Sequence, residues 1–148
     1  MTALEALEAT GLAQHLRASR WTYPLVNTGH VVGIALLVGS VVPMDLRLLR
    51  VVPGPDPDEV AAFLRPFAIM GLVLAGGFGA LLFAAGATDY AQSGWFRLKM
   101  ALLVLALTNA ALHVRLGSAR PRLGRAAAAA SLLLWPLVLL CGRMIGYS

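Results

Sequence analysis

Four long apolar stretches dominate the pattern of hydrophobic and polar positions along the chain. They cover approximately residues 24–45, 66–86, 96–116 and 126–147, and each is close to the roughly 20 residues that an α-helix needs to cross a bilayer. Short segments rich in proline, glycine and charged residues separate them, and short connections make successive helices antiparallel neighbours. The pattern therefore predicts an all-α integral membrane protein, an up-down bundle of four transmembrane helices.

The first 20 residues have a different pattern. Thr2 and Glu5 form the T-x-x-E sequence of a capping box. Leucines at positions 4, 7, 12 and 16 fall roughly on one helical face. This pattern predicts an amphipathic helix over residues 1–20 that lies in the membrane interface. The whole chain, residues 1–148, is interpreted as a single membrane domain.

Composition indicates the bilayer as the partner of the chain. Of the 148 residues, 59% are hydrophobic and 13% are charged, which is too apolar for a soluble domain of this size. The net charge of +5 suits loops that lie against anionic headgroups. No basic run carries the stacking aromatics of a nucleic-acid groove, so no nucleic acid is expected. The single cysteine, Cys141, excludes an internal disulfide.

Basic residues indicate the orientation in the membrane. The side of the first and third connections carries seven arginines, and the side of the termini carries five basic residues (positions 17, 20, 97, 99 and 143). Because positive charge accumulates on the cytoplasmic side, both termini are predicted to be extracytoplasmic. The stretch from Pro24 is interpreted as an uncleaved signal anchor, since the first 20 residues lack the apolar core of a signal peptide.

The second apolar stretch is rich in small residues. It contains the small-xxx-small pair Ala75 and Gly79. Such pairs let two helix backbones approach closely, so tight helix packing or dimerisation is predicted here.

Polar residues inside the apolar stretches form two layers. With a rise of about 1.5 Å per residue, His30 lies about 9 Å in from the terminal side, at a depth similar to Lys99 and Arg143. His113 and Asn109 lie near the opposite face, so His113 is roughly 15 Å from His30 in depth and cannot share a haem with it. Intramembrane polar residues are costly, which makes function the default interpretation.

The His30 layer has the residue types of a haem b site. Gly33, one turn later, would leave a flat space beside the imidazole. Asn27, one turn earlier, would accept from Nδ1–H and leave Nε2 for iron. Lys99 and Arg143 would neutralise the haem propionates. In the other interpretation, His30 bonds to a neighbouring helix, and Lys99 and Arg143 reach towards the headgroups.

His113 has a simpler interpretation, an interfacial imidazole bonded to Asn109 or Asp45 that needs no cofactor. Asp45 itself would form an ion pair with Arg47 or Arg115. The alternative is a second haem iron on His113, with one haem in each layer.

The apolar stretches also carry motifs that resemble a bacterial family of small four-helix membrane proteins, known only as a domain of unknown function. The motifs are W-x-Y-P-L-V-x-x-x-H-x-x-G-x-A-L-L-x-G-S, D-L-R-L-L-R, F-x-x-K-x-A-L-L-x-L-A-x-x-N-A-x-x-H and G-R-x-I-G-Y. The resemblance covers the chain from Trp21 to Tyr147. It implies the four-span fold in a bacterial inner membrane and implies no activity.

A first-helix histidine and a W-x-x-x-K opening of the third span are similar, more distantly, to HemJ-type protoporphyrinogen oxidases. CopD-type copper-resistance domains and cytochrome b-like bundles share the general plan. In the HemJ comparison, His30 and Lys99 match positions associated with haem and activity. HemJ proteins carry a third-helix histidine near Ala110, where this chain has Asn109 and then His113. The resemblance therefore implies porphyrin binding rather than porphyrinogen oxidation.

The sequence thus predicts a membrane protein that binds haem b through His30 and serves in electron transfer or haem-linked redox chemistry. It would act as a homo-oligomer or as a subunit of a membrane redox complex. If it is an enzyme, it is a haem-dependent membrane oxidoreductase. The alternative is a non-redox packing subunit, or a membrane protein that handles copper or a small solute.

Overall fold

The computed structural model describes residues 2–116 and 120–147, and every regular element in that part of the chain is an α-helix. The helices are α1 (Ala3–Glu8), α2 (Gly11–Ala18), α3 (Thr22–Leu48), α4 (Pro57–Ala85), α5 (Ala87–Gln92), α6 (Gly94–Leu116) and α7 (Pro121–Ile145). Four of these helices, α3, α4, α6 and α7, are long and apolar enough to cross a membrane. The predicted all-α fold with four spans is confirmed. Residues 117–119 of the predicted third connection lie outside the described residues.

The spans are longer than the apolar stretches that predicted them. Helix α4 begins at Pro57, before its apolar stretch starts near residue 66, because Asp56 caps it and proline suits the first helical position. The Asp56 carboxylate accepts from the backbone N–H of Asp58 at 2.9 Å. Helix α7 similarly begins at Pro121 rather than near residue 126. Apolar patterning marks the part of a helix within hydrocarbon, whereas the helix itself continues into the polar interface.

The N-terminal segment forms two helices rather than the single predicted one. The capping box of Thr2 and Glu5 is present and begins α1. The chain then breaks at Ala9, and Thr10 caps α2 by accepting from the N–H of Ala13 at 3.3 Å. We call α1 and α2 together the N-terminal pair.

One side of the N-terminal pair packs against the bundle, and the other side is exposed. Leu16 is 2% exposed and forms an apolar cluster with Val26 of α3 and with Leu82 and Ala85 of α4. Leu12 instead remains exposed. The leucine face of the pair is therefore divided between the protein core and the surroundings.

Backbone contact between α3 and α4 is the tightest packing in the bundle. A Cβ atom added to Gly33 would meet the backbone nitrogen of Ala75, and one added to Gly71 would meet that of Leu37. Glycine at both positions therefore allows the two backbones to touch. Side chains from all four spans meet in one core cluster, which contains Leu37, Ala68, Ala106 and Trp135.

The connection between α4 and α6 is itself helical, which the sequence did not predict. Helix α4 ends at Ala85, Gly86 follows with φ −154° and ψ 47°, and α5 starts at Ala87. We call residues 85–92 the elbow. It lies at the end of the bundle where α3 begins and α7 ends, because its residues share a cavity with those helix ends.

Candidate functional site

His30 lies in the third turn of α3 and is half-buried against α4. Its Nδ1 atom is 2.7 Å from the carbonyl oxygen of Ala75. A carbonyl oxygen can only accept, so Nδ1 carries the proton in this bond. In the neutral ring, Nε2 then holds the free lone pair. The imidazole is thus fixed in one tautomer by a backbone group.

The close approach of α3 and α4 explains why the Ala75 carbonyl is within reach. Gly33 and Gly71 place the two backbones in contact immediately beside Ala75. Gly79, one turn further along α4, makes room for the ring: a Cβ atom there would lie 3.0 Å from Cε1 and 3.2 Å from Nδ1 of His30. The pair Ala75 and Gly79 therefore forms the seat of the imidazole.

His30 and Lys99 line one cavity of about 530 Å³, at the end of the bundle that carries the elbow. This volume is within the usual range for small-molecule and cofactor sites, about 300–1,000 Å³. Residues from α3, α4, the elbow, α6 and α7 contribute to the lining, and its polar or ionisable members are Tyr23, Asn27, His30, Asp89, Tyr90, Ser93 and Lys99.

Aromatic rings form one wall of this cavity. Phe83 and Phe96 stack with 5.4 Å between ring centroids and 14° between ring planes. Tyr90 of α5 packs on Phe96 at 5.5 Å. Burial, together with the neighbouring Tyr23 hydroxyl, raises the pKa of Tyr90 to about 12. Tyr90 is therefore neutral at physiological pH, with its hydroxyl hydrogen-bonded to Tyr23.

Lys99 supplies a positive charge to the cavity, one turn after Phe96 on α6. Its side chain lies over Gly142 of α7, where an added Cβ atom would be 3.3 Å from Nζ. Within the described part of the chain, no hydrogen bond or ion pair with a carboxylate holds this ammonium group. It is thus available to an anionic group in the cavity.

Three of the predicted site residues have roles other than those expected. Asn27 lines the cavity, but Nδ1 of His30 bonds to Ala75 across the helix contact and not to Asn27. Gly33 leaves no space beside the imidazole, because the α4 backbone fills that side. Arg143 is exposed and donates to the Tyr147 hydroxyl at 2.7 Å, with its guanidinium 4.9 Å from that ring. This contact joins the last turn of α7 to the turn that follows it, and Arg143 does not line the cavity.

The second polar layer is a separate place in the bundle. His113 and Asn109 line a smaller cavity of about 300 Å³ between α6 and α7. The Asn109 amide donates to the carbonyl of Ala127 at 2.9 Å. The amide reaches across to α7 instead of along its own helix. Among the described residues, His113 forms no hydrogen bond with either predicted partner, Asn109 or Asp45.

Asp45 is also placed differently from the prediction. It is 4% exposed, and one of its carboxylate oxygens has no hydrogen-bond partner. Arg47 instead donates to the carbonyls of Gly54 and Pro55 in the first connection. Two residues apart on α3, Asp45 and Arg47 point to opposite sides of the helix. Among the described residues, neither Arg47 nor the alternative partner Arg115 forms an ion pair with Asp45, so that prediction is wrong.

Sequence reasoning missed the Ala75 carbonyl, the seat at Gly79 and the aromatic wall with Tyr90. A backbone carbonyl carries no sequence signal at all. The Ala75–Gly79 spacing predicted close helix packing, and this close packing brings the His30 ring within hydrogen-bond distance of the Ala75 carbonyl.

Comparison with known proteins places the fold in a family without assigning an activity. No curated protein and no solved structure matches the chain. One family profile matches residues 22–148, which comprise α3 to α7 and exclude the N-terminal pair. Since this match covers most of the sequence, the chain belongs to DUF6644, a family of unknown function.

Proposed function

We propose that this protein binds haem b in the 530 Å³ cavity through Nε2 of His30 and serves in membrane electron transfer or haem-linked redox chemistry. One observation carries the proposal. The 2.7 Å bond from Nδ1 to the Ala75 carbonyl is the arrangement that orients metal-ligating histidines and increases the basicity of the other ring nitrogen.

The donor set and shape of the cavity fit the group. The stacked rings of Phe83 and Phe96 offer a flat apolar surface to a planar macrocycle. The Lys99 ammonium suits a propionate carboxylate. Arg143, which the sequence assigned to the second propionate, points to Tyr147 instead. When bound, haem b supplies a reversible one-electron couple.

The residues around the cavity have separate roles in this proposal. His30 provides the ligating nitrogen, and the Ala75 carbonyl holds its orientation. The aromatic wall excludes water and lowers the local dielectric constant, which strengthens the contact of Lys99 with a carboxylate.

Four apolar spans give a multi-pass membrane protein, and we propose the bacterial inner membrane as its location. Electron transfer requires a partner, so the protein would work as a homo-oligomer or within a membrane redox complex. We propose a porphyrin as the ligand, in line with the distant sequence resemblance of His30 and Lys99 to positions of HemJ-type proteins. If the protein catalyses a reaction, we propose that it is a haem-dependent membrane oxidoreductase.

Absorption spectra of the purified protein, oxidised and reduced, test the proposal. Protein from haem-replete cells should show a b-type Soret band that His30→Ala abolishes. His113→Ala is the matched control, because His113 lines the other cavity, and it should retain the band. A colourless wild-type protein would refute haem binding, and loss of the band in His113→Ala alone would move the site to the second layer.

One observation favours a second candidate, the non-redox packing subunit. The bond between His30 and Ala75 joins α3 to α4, so the imidazole also acts as a link between helices. If this is its whole role, the wild-type protein is colourless and His30→Ala lowers thermal stability by about the 1 kcal/mol of one hydrogen bond.

A further inference from the structure

The elbow has helix ends that its own residues do not cap. Gly86 begins α5 with no side-chain cap. The carboxylate of Glu8, at the end of α1, accepts from the backbone N–H of Thr88 at 2.7 Å. A residue 80 positions away in sequence thus supplies the N-terminal cap of α5.

Arg17 of α2 caps the other side of the elbow. One guanidinium nitrogen donates to the carbonyl of Ala85, the last residue of α4, at 3.2 Å. The other donates to the backbone carbonyl of Glu8 at 2.6 Å. Arg17 also lies 3.6 Å from the Glu8 carboxylate as an ion pair. A cation at a helix C-terminus and an anion at a helix N-terminus are both favourable.

The N-terminal pair is anchored where it makes these contacts. Ala13 is 0% exposed and Leu16 is 2% exposed against α3 and α4. Within the pair, therefore, Glu8 and Arg17 are held by packing as well as by their own bonds.

The elbow that this pair holds is a wall of the cavity. Ala85, Gly86, Asp89 and Tyr90 all line it. A displacement of the elbow therefore changes access to His30 and Lys99 without touching either residue.

We infer that the N-terminal pair is a clasp that controls access to the cavity, with Glu8 and Arg17 as its positioning residues. When both caps are made, α5 is held against Phe96 and the cavity is closed on that side. When they are released, α5 loses its caps and the elbow opens. The clasp lies outside residues 22–148, the range that the family profile matches. The inference does not depend on which ligand the cavity takes.

A thiol in the cavity measures the opening directly. In a Cys141→Ala background, Ser93→Cys places one thiol in the lining with little change of size. This thiol should react with a small water-soluble maleimide about fivefold faster when Arg17→Gln or Glu8→Ala is added. The reason is that losing one hydrogen bond, about 1 kcal/mol, shifts the equilibrium between the closed and the open elbow by about that factor. Arg20→Gln is the matched control, because Arg20 is exposed and packs over Trp21, and it should leave the rate unchanged.

Hydrogen exchange of the backbone amides distinguishes a clasp from a general loss of stability. Arg17→Gln and Glu8→Ala should accelerate exchange at residues 85–92 and leave the centres of α3 and α7 unchanged. Equal maleimide rates in all variants, or acceleration spread over every span, would overturn the inference. Because neither measurement uses haem, a colourless protein would refute the proposed function and leave this test intact.

Discussion

The imidazole of His30 occupies the space that Gly79 leaves empty, since a Cβ atom at position 79 would lie 3.0 Å from its Cε1. Gly79→Ala should therefore displace the ring by a few tenths of an ångström and lengthen its bond to Ala75. We expect a loss near the 1 kcal/mol of that hydrogen bond, which offsets the gain of about 0.5–1 kcal/mol from replacing a helical glycine. The nitrogen NMR shift of His30 should report the weakened bond.

Gly77→Ala is the control for this prediction, because no atom lies within 4 Å of its added Cβ. It should stabilise the protein slightly and leave the His30 resonance unchanged. If both variants give the same His30 shift, Gly79 is not the seat of the imidazole.

Gly33 is predicted to matter for stability through the α3–α4 contact. Gly33→Ala would push a methyl group into the backbone of Ala75, and overpacking of this kind costs about 1–3 kcal/mol. Gly39→Ala, on the same helix with open space around it, should cost nothing. The midpoint temperatures of thermal unfolding in detergent compare the two variants. Equal midpoints would contradict the prediction, because they would show that α3 and α4 accommodate the added methyl group at no cost in stability.

Lys99 is predicted to retain an anionic ligand. If the cavity binds haem, Lys99→Met should increase haem dissociation about tenfold, because a charge-assisted hydrogen bond contributes about 1.5–3 kcal/mol. Arg97→Met removes an exposed charge from the same helix turn and should have no effect. Transfer of haem to an excess of apo-myoglobin measures both rates, and equal rates would exclude Lys99 as a propionate partner.

The contact of Glu8 predicts a dependence of stability on pH. The hydrogen bond from the Thr88 backbone, with a smaller contribution from Arg17, holds the pKa of Glu8 below its usual value. A lowered carboxyl pKa stabilises the fold above the unfolded-state pKa, and this contribution is lost as the pH falls through the folded-state value. Wild type should therefore unfold at a higher temperature than Glu8→Gln at neutral pH. The difference should shrink as the pH falls through the folded-state pKa of Glu8, and a constant difference would show that Glu8 is not the titrating group.

Orientation in the membrane is a separate prediction from the charge asymmetry. A reporter enzyme that works only outside the cytoplasm should be active when it is fused after Ser148. The reason is that seven basic residues lie on the side of the first and third connections and five on the other. The cavity lies at the end of the bundle where α3 begins and α7 ends. If a reporter that works only in the cytoplasm is active at this position instead, the termini and the cavity face the cytoplasm.

Much of the architecture follows from sequence because it depends on local properties. The spans follow from apolar length, and the capping box of Thr2 and Glu5 is a contact within one turn. The shared level of His30 and Lys99 follows from a constant helical rise and antiparallel order. Helices α4 and α7 begin at Pro57 and Pro121, before their apolar stretches, since hydropathy records where hydrocarbon begins and not where helical hydrogen bonding begins.

The partners of the polar side chains were decided by tertiary structure alone. Depth along a helix does not specify rotation about its axis, so Arg143 and Lys99 share a level while only Lys99 reaches the cavity. The bond of His30 to Ala75 exists because two glycines bring two backbones together and expose a carbonyl that no side-chain pattern encodes. Glu8 and Arg17 reach helix ends about 70–80 residues away, and such contacts depend on how the N-terminal pair docks, which local periodicity does not determine.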